Sequence, residues 1–215
     1  MRKKACALAA AVLAGMMAFA GCGGDFDAAG YVQAVLDERL QGEFTEASRI
    51  MDTSEYELKQ DYEAAVDQFV YDYLTSGYAE LSDYTLYEYE TLVKEIFSVM
   101  KYDVQKAEKT DSKEYEVSVE IQPVDLFVNY VPALQEASKE IEQSAQNGGY
   151  EGTEEEIQAM MQFDYLFRAY DLLAEAYLNM QYPDLETVLV KVEAGAGHPY
   201  SVSAEESQPT RQPFF

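Results

Sequence analysis

Apolar residues recur along this chain mostly at helical spacing, and the period falls to two in only a few places. From Ala28 to Leu40, the positions Val32, Val35, Leu36 and Leu40 mark one face of a helix that Gly42 breaks, and a short helix is expected from Phe44 to Met51. Ser54 and Glu57 have the spacing of a capping box, in which hydroxyl and carboxylate each satisfy an orphan backbone N–H. The helix they open carries Leu58, Tyr62, Ala65, Val66, Phe69, Val70 and Tyr73 on its inward face and ends near Gly77. Ser82 is placed to cap the next, whose inward stripe is Leu86, Tyr89, Leu92, Val93, Ile96, Phe97 and Met100.

The period then changes. Tyr115, Val117, Val119 and Ile121 alternate with Glu114, Glu116, Ser118 and Glu120, which predicts a strand with one apolar and one wet face. Tyr102 to Lys109, joined to it by a turn over Thr110–Lys113, completes an antiparallel hairpin. Helix returns from Val124 to about Gln146 with Pro132 inside it, and Asn147-Gly148-Gly149 is a loop. Thr153 and Glu156 form a second capping box. The helix it opens reaches toward Gln181 with Ile157, Met160, Met161, Phe163, Phe167, Tyr170, Leu173 and Tyr177 expected inward. That face is wide, so this helix is expected to be the most deeply packed. Pro183 ends it, Val188, Val190 and Val192 make a strand, Gly195 and Gly197 a loop, and Tyr200 and Val202 a partner strand. The order predicts one α+β domain over 28–205: several helices packed on one face of a four-stranded antiparallel sheet made of two hairpins. Residues 206–215, with Pro209, Pro213 and no period, are expected to fray.

The first residues follow a different logic. Arg2, Lys3 and Lys4 precede an uncharged apolar stretch from Ala5 to Ala18, and small residues follow, which is the pattern of a secretory signal rather than a membrane span. Phe19-Ala20-Gly21-Cys22 resembles the lipobox of bacterial lipoproteins, with Phe19 where Leu is usual. The resemblance implies that 1–21 is a signal peptide, that Cys22 is lipidated on its sulfur and begins the mature chain, and that 22–27 is a tether. It places the domain at the outer face of the cytoplasmic membrane, with the membrane as a partner through the lipid. The glycine spacer, Tyr31-Val32-Gln33-Ala34-Val35-Leu36-Asp37, Gly42-Glu43-Phe44 and the Tyr115–Val119 strand with Pro123 after it are similar to small surface lipoproteins of gut clostridia and related Gram-positive bacteria. The function of that group is unassigned, and some of its members resemble nuclear-transport-factor-2-like or cystatin-like folds. The resemblance implies no catalytic residue, and Gln208 to Phe215 departs from the group.

Charge narrows the partners. The chain holds 40 acidic against 15 basic residues, a net charge of −25, and removal of 1–21, with three of the bases and no acid, takes it to −28. Such a balance argues against nucleic acid and against a domain lying on anionic lipid headgroups. Cys6 leaves with the signal and Cys22 is consumed by lipid, so thiol catalysis, disulfides and Cys-ligated zinc are not expected. With 48% apolar residues and evenly spread aromatics, the chain has the material for a core.

No reaction is named by the remaining residues. His198, the single histidine, sits between Gly197 and Pro199 in an expected turn rather than in a triad. No carboxylate pair stands out by spacing, and no calcium loop is present; Asp61, Asp67 and Asp72 fall on a helix at unsuitable angles. Gly148-Gly149 lacks a phosphate-loop context. No cofactor and no metal is expected. The 18 tyrosines, with no tryptophan, are the remaining signal, because a flat apolar ring with a polar tip suits both helix–sheet boundaries and interfaces. Within the cluster formed by Tyr71, Tyr73, Tyr78, Tyr84, Tyr87 and Tyr89, the residues Tyr84, Tyr87 and Glu88 are the candidate binding site. The expectation is therefore a lipid-anchored, non-catalytic module that binds a protein or small ligand. The alternatives are a solute-capture lipoprotein of a transporter and a cell-wall hydrolase.

Overall fold

Asp27 starts the first helix by accepting the Gly30 N–H on its carboxylate at 2.9 Å. The structure is a computed structural model that describes the backbone of 26–75, 81–194 and 200–204 and the side chains of 26–75 and 81–193. The expected signal 1–21, the lipidation site Cys22, Tyr78, the turn at His198 and the tail 206–215 lie outside the described residues. Helix α1 (Ala28–Leu36) passes into a wide π-turn, Asp37–Gln41, and then come α2 (Thr45–Met51) and α3 (Glu55–Phe69). A second π-turn, Val70–Leu74, precedes α4 (Asp83–Ser98), β1 (Lys101–Asp111) and β2 (Glu114–Gln122). The chain continues through α5 (Leu126–Gln146), α6 (Glu154–Leu178), β3 (Glu186–Ala194) and β4 (Tyr200–Ala204). Both capping boxes form: Glu57 N–H donates to Ser54 Oγ at 3.2 Å, and Glu156 N–H to Thr153 Oγ1 at 3.3 Å. Pro132 lies within α5, which continues through it.

The described residues gather into two compact units, and the class is α+β. The first contains the residues to Glu63, Phe97–Pro123 and those from Asp184 onward. In it β1, β2 and β3 run antiparallel in that order, and the five residues of β4 align antiparallel along β3. Val117 opposes Val190 and Val119 opposes Val188, so the alternation read in the sequence puts these valines on one face. Glu116, Ser118 and Glu120 stand on the other, partly open to solvent. A register shift between Val104 and Ala107 marks a bulge in β1. Helix α1 lies against β1, β2 and β3. Its end is tied to β1, since the Asp37 carboxylate accepts from Tyr102 OH at 2.5 Å and from Gln33 Nε2 at 2.7 Å. Gly42 closes the π-turn at φ 66°, a left-handed conformation that glycine adopts without a Cβ penalty.

The second unit, Ala64–Ile96 with Val124–Pro183, is helical. Helices α5 and α6 form an antiparallel pair, with Leu126, Tyr130, Ala137 and Ile141 buried on one and Ala169, Leu173 and Ala176 on the other. Tyr89 of α4 is buried, donates its OH to the carbonyl of Leu166 at 2.8 Å, and meets the Tyr170 ring edge-on at 5.4 Å. The loop before α5 is latched to the residues after α6, for Gln181 N–H donates to Asp125 Oδ1 at 2.7 Å.

Two expected stripes are corrected here. Ala65 and Tyr73 are exposed, whereas Leu74 and Thr75 are buried. The π-turn at Val70–Leu74 bonds i to i+5, as Thr75 N–H to the Val70 carbonyl shows, and the extra residue per turn rotates Leu74 inward where an α-helix would have placed Tyr73. Helix α6 is not deeply packed: only three of its 25 residues are buried, and Phe163 and Phe167 face outward. Its seam runs through Ala169, Leu173 and Ala176, and at 3.6 residues per turn Phe163 and Phe167 fall roughly 80° and 120° around the helix from Leu173.

Candidate functional site

The aromatic residues along one side of α6, two of them exposed and one half-buried, follow helical neighbour spacing. Phe163, Phe167 and Tyr170 stand at i, i+4 and i+7, with Asp171 one turn beyond Phe167. Phe163 is 69% exposed and Phe167 60%, and their rings lie nearly parallel, with centroids 6.5 Å apart and 14° between planes. Aromatic side chains this open on a helix whose core seam is otherwise small and aliphatic are uncommon on a surface without a partner. The apolar breadth of α6 was the signal in the sequence: a stripe wider than one neighbouring helix covers must show part of itself to solvent.

The residues singled out in the sequence lie on α4, which touches α6 through Tyr89. Tyr84 and Tyr87 are 72% and 62% exposed, and Glu88 is half-buried. The two helices meet electrostatically at Tyr170. Burial raises its phenol above the ordinary tyrosine range, and the charges of Glu88 and Glu95 with Tyr84 and Asp171 push it the same way. Every one of these neighbours is an acid or a phenol. Tyr84 and Glu88 of α4 therefore lie near the third aromatic of the α6 stripe. The basic residues of these helices are engaged on ion pairs: Lys94 with Glu90 at 3.8 Å and Arg168 with Glu140 at 2.7 Å. Tyr71 is half-buried and Tyr73 exposed, and neither has a described contact to this face.

The first unit holds a different feature that periodicity does not reveal. Glu38 is fully buried in the π-turn. Arg39 Nε lies 3.0 Å from Oε2, yet outside hydrogen-bonding geometry, so neither carboxylate oxygen has a hydrogen-bond partner among the described residues. Burial pushes the carboxyl up to about 7, against the pull of Arg39 and with a further push from Asp61. On an ideal helix Glu38 falls opposite Leu36; the wider turn draws it in. Among the described residues no group of three or more His, Cys, Asp or Glu is placed to hold a metal, and no helix is long and apolar enough to cross a membrane.

No protein-family model and no curated protein matches this chain. Among solved structures, the crystal structure of ycdA, a candidate lipoprotein of Bacillus subtilis, is similar over 82% of this chain and 52% of its own, with 18% identity and a TM-score of 0.47. The chain spans about half the length of that protein. A likeness this distant carries no argument about role.

Proposed function

We propose that this is an exported protein, anchored through a lipid on Cys22 to the outer face of the cytoplasmic membrane, whose domain is a non-catalytic binding module. The observation that carries the binding half is the exposed stacked pair Phe163 and Phe167 on α6. Tyr84 and Glu88 of α4 come near that helix at Tyr170, and the exposed Tyr87 belongs to the same reading. A surface of this kind costs solubility unless something covers it, and the strong negative charge of the remainder keeps the domain dispersed. The anchor half is supported by the Arg2–Lys4 start and the Ala20-Gly21-Cys22 exit of the sequence. The likeness of the group to cystatin-like folds finds support in α1 lying against an antiparallel sheet, and that to nuclear-transport-factor-2-like folds belongs to the same reading. The solute-capture and wall-hydrolase alternatives lack a comparable observation.

One experiment in living cells tests both halves. A photo-crosslinking amino acid replaces Phe163, in the parent and in Cys22→Ser. The expected result is a discrete adduct in the membrane fraction of the parent. In Cys22→Ser the protein leaves that fraction or persists as unprocessed precursor. A processed, membrane-bound Cys22→Ser protein contradicts the anchor, and absence of an adduct at 163 contradicts the binding face.

A further inference from the structure

The aromatic face has a charged border. Helices α4 and α6 together carry ten acidic residues and two basic ones, and the two basic side chains are held by Glu90 and Glu140. Glu88 and Asp171 have no ion pair among the described residues. Glu88 adjoins Tyr89, whose ring meets that of Tyr170 at 5.4 Å, and Asp171 stands four residues beyond Phe167 on α6. We infer that the partner of this face is a basic protein segment with apolar or guanidinium-bearing side chains, anchored on Phe163 and Phe167 and steered by the carboxylates of Glu88 and Asp171. The inference rests on the reading of this face as a binding surface and names its occupant.

Charge decides among the occupants. A second copy would bring the same acidic border against this one, and like charges across an interface cost several kcal/mol. An anionic membrane surface is repelled for the same reason. A basic segment meets complementary charge at the border. Its arginines also match the face itself, because a guanidinium stacks on an aromatic ring and pairs bidentately with a carboxylate. Nearly parallel rings 6.5 Å apart offer two such faces on adjacent turns of one helix.

The test uses the full lipid-anchored chain in nanodiscs of zwitterionic phosphatidylcholine and three short peptides: an amphipathic Leu/Arg helix, the same helix with Glu for Arg, and a Gly/Ser peptide with the same number of Arg. Fluorescence anisotropy is read on the parent, Phe163→Ser/Phe167→Ser, Glu88→Gln/Asp171→Asn, and the remote control Glu108→Gln/Glu114→Gln. The Leu/Arg peptide is expected to bind most tightly and to weaken roughly tenfold in the Phe pair and roughly tenfold in the Glu88/Asp171 pair, with a much smaller change in the control. If the Leu/Glu peptide binds as well as Leu/Arg but still depends on Phe163 and Phe167, the basic partner is refuted and the binding face stands. If the Glu88/Asp171 pair weakens binding no more than the control, the named carboxylates do not steer and the inference fails. If no peptide responds to the Phe pair, the binding face itself fails, and the inference with it.

Discussion

Val117→Asp is expected to abolish the folded state of the sheet unit. Val117 sits on the middle strand of β1, β2 and β3, fully buried, opposite Val190 on one side and Ala107 on the other. Burial of a valine side chain contributes about 1.5–3 kcal/mol, and the substitution forfeits it. The carboxylate costs more, because it must enter the core charged and unpaired or take up a proton. Together these approach the whole stability of an ordinary domain, about 5–15 kcal/mol. Ser118→Asn, one residue along on the opposite face, is the control, expected to cost less than about 1 kcal/mol. Circular dichroism melts of both variants check this. A Val117→Asp protein that melts like the parent shows that the alternating face is not a core.

Glu38 is expected to make the stability depend on pH through a range where most carboxylates are already titrated. Unfolded, the carboxyl titrates near 4.5; buried in the π-turn it titrates at about 7. Below 4.5 both states hold the proton. Between 4.5 and 7 the folded state keeps it while the unfolded state gives it up, so stability falls as pH rises through that window and levels off above it. The full difference is on the order of 3 kcal/mol. The parent's own profile mixes this with general repulsion among its acids, so the readout is the difference between parent and Glu38→Gln. The variant is expected to match the parent at about pH 4 and to exceed it by up to about 3 kcal/mol at about pH 8 in urea titrations. A difference independent of pH, or a variant less stable at the higher value, contradicts the buried carboxylate.

Much of the local structure was legible because its causes are local. Hydroxyl–carboxylate spacing placed both capping boxes, and strict alternation placed β2 with its wet and dry faces. Tyr73 was misplaced by the assumption of an unbroken 3.6-residue period, which does not account for Ala65 in the regular helix before it. Each π-turn adds a residue to a helical turn, which turned Tyr73 out, Leu74 in and Glu38 into the interior. Helix α6 failed differently. Its apolar stripe is broad, and nothing in the stripe itself says which part is covered; Ala169, Leu173 and Ala176 are, and small side chains beside Leu173 leave room for a neighbouring helix. The candidate site was therefore half legible. Tyr84, Tyr87 and Glu88 could be picked from composition, whereas Phe163 and Phe167 were assigned to the core that they border.

The exposure of those two phenylalanines is what the functional reading depends on, and thermal and chemical melting of Phe163→Ser/Phe167→Ser measures it directly. Removing a core phenylalanine costs about 3–5 kcal/mol, so a buried pair would lose more than about 6 kcal/mol and unfold most domains. The predicted result is a folded double variant that loses less than about 2 kcal/mol, with the far-ultraviolet spectrum of the parent. An unfolded double variant, or a loss of several kcal/mol, would return both rings to the core and remove the binding face.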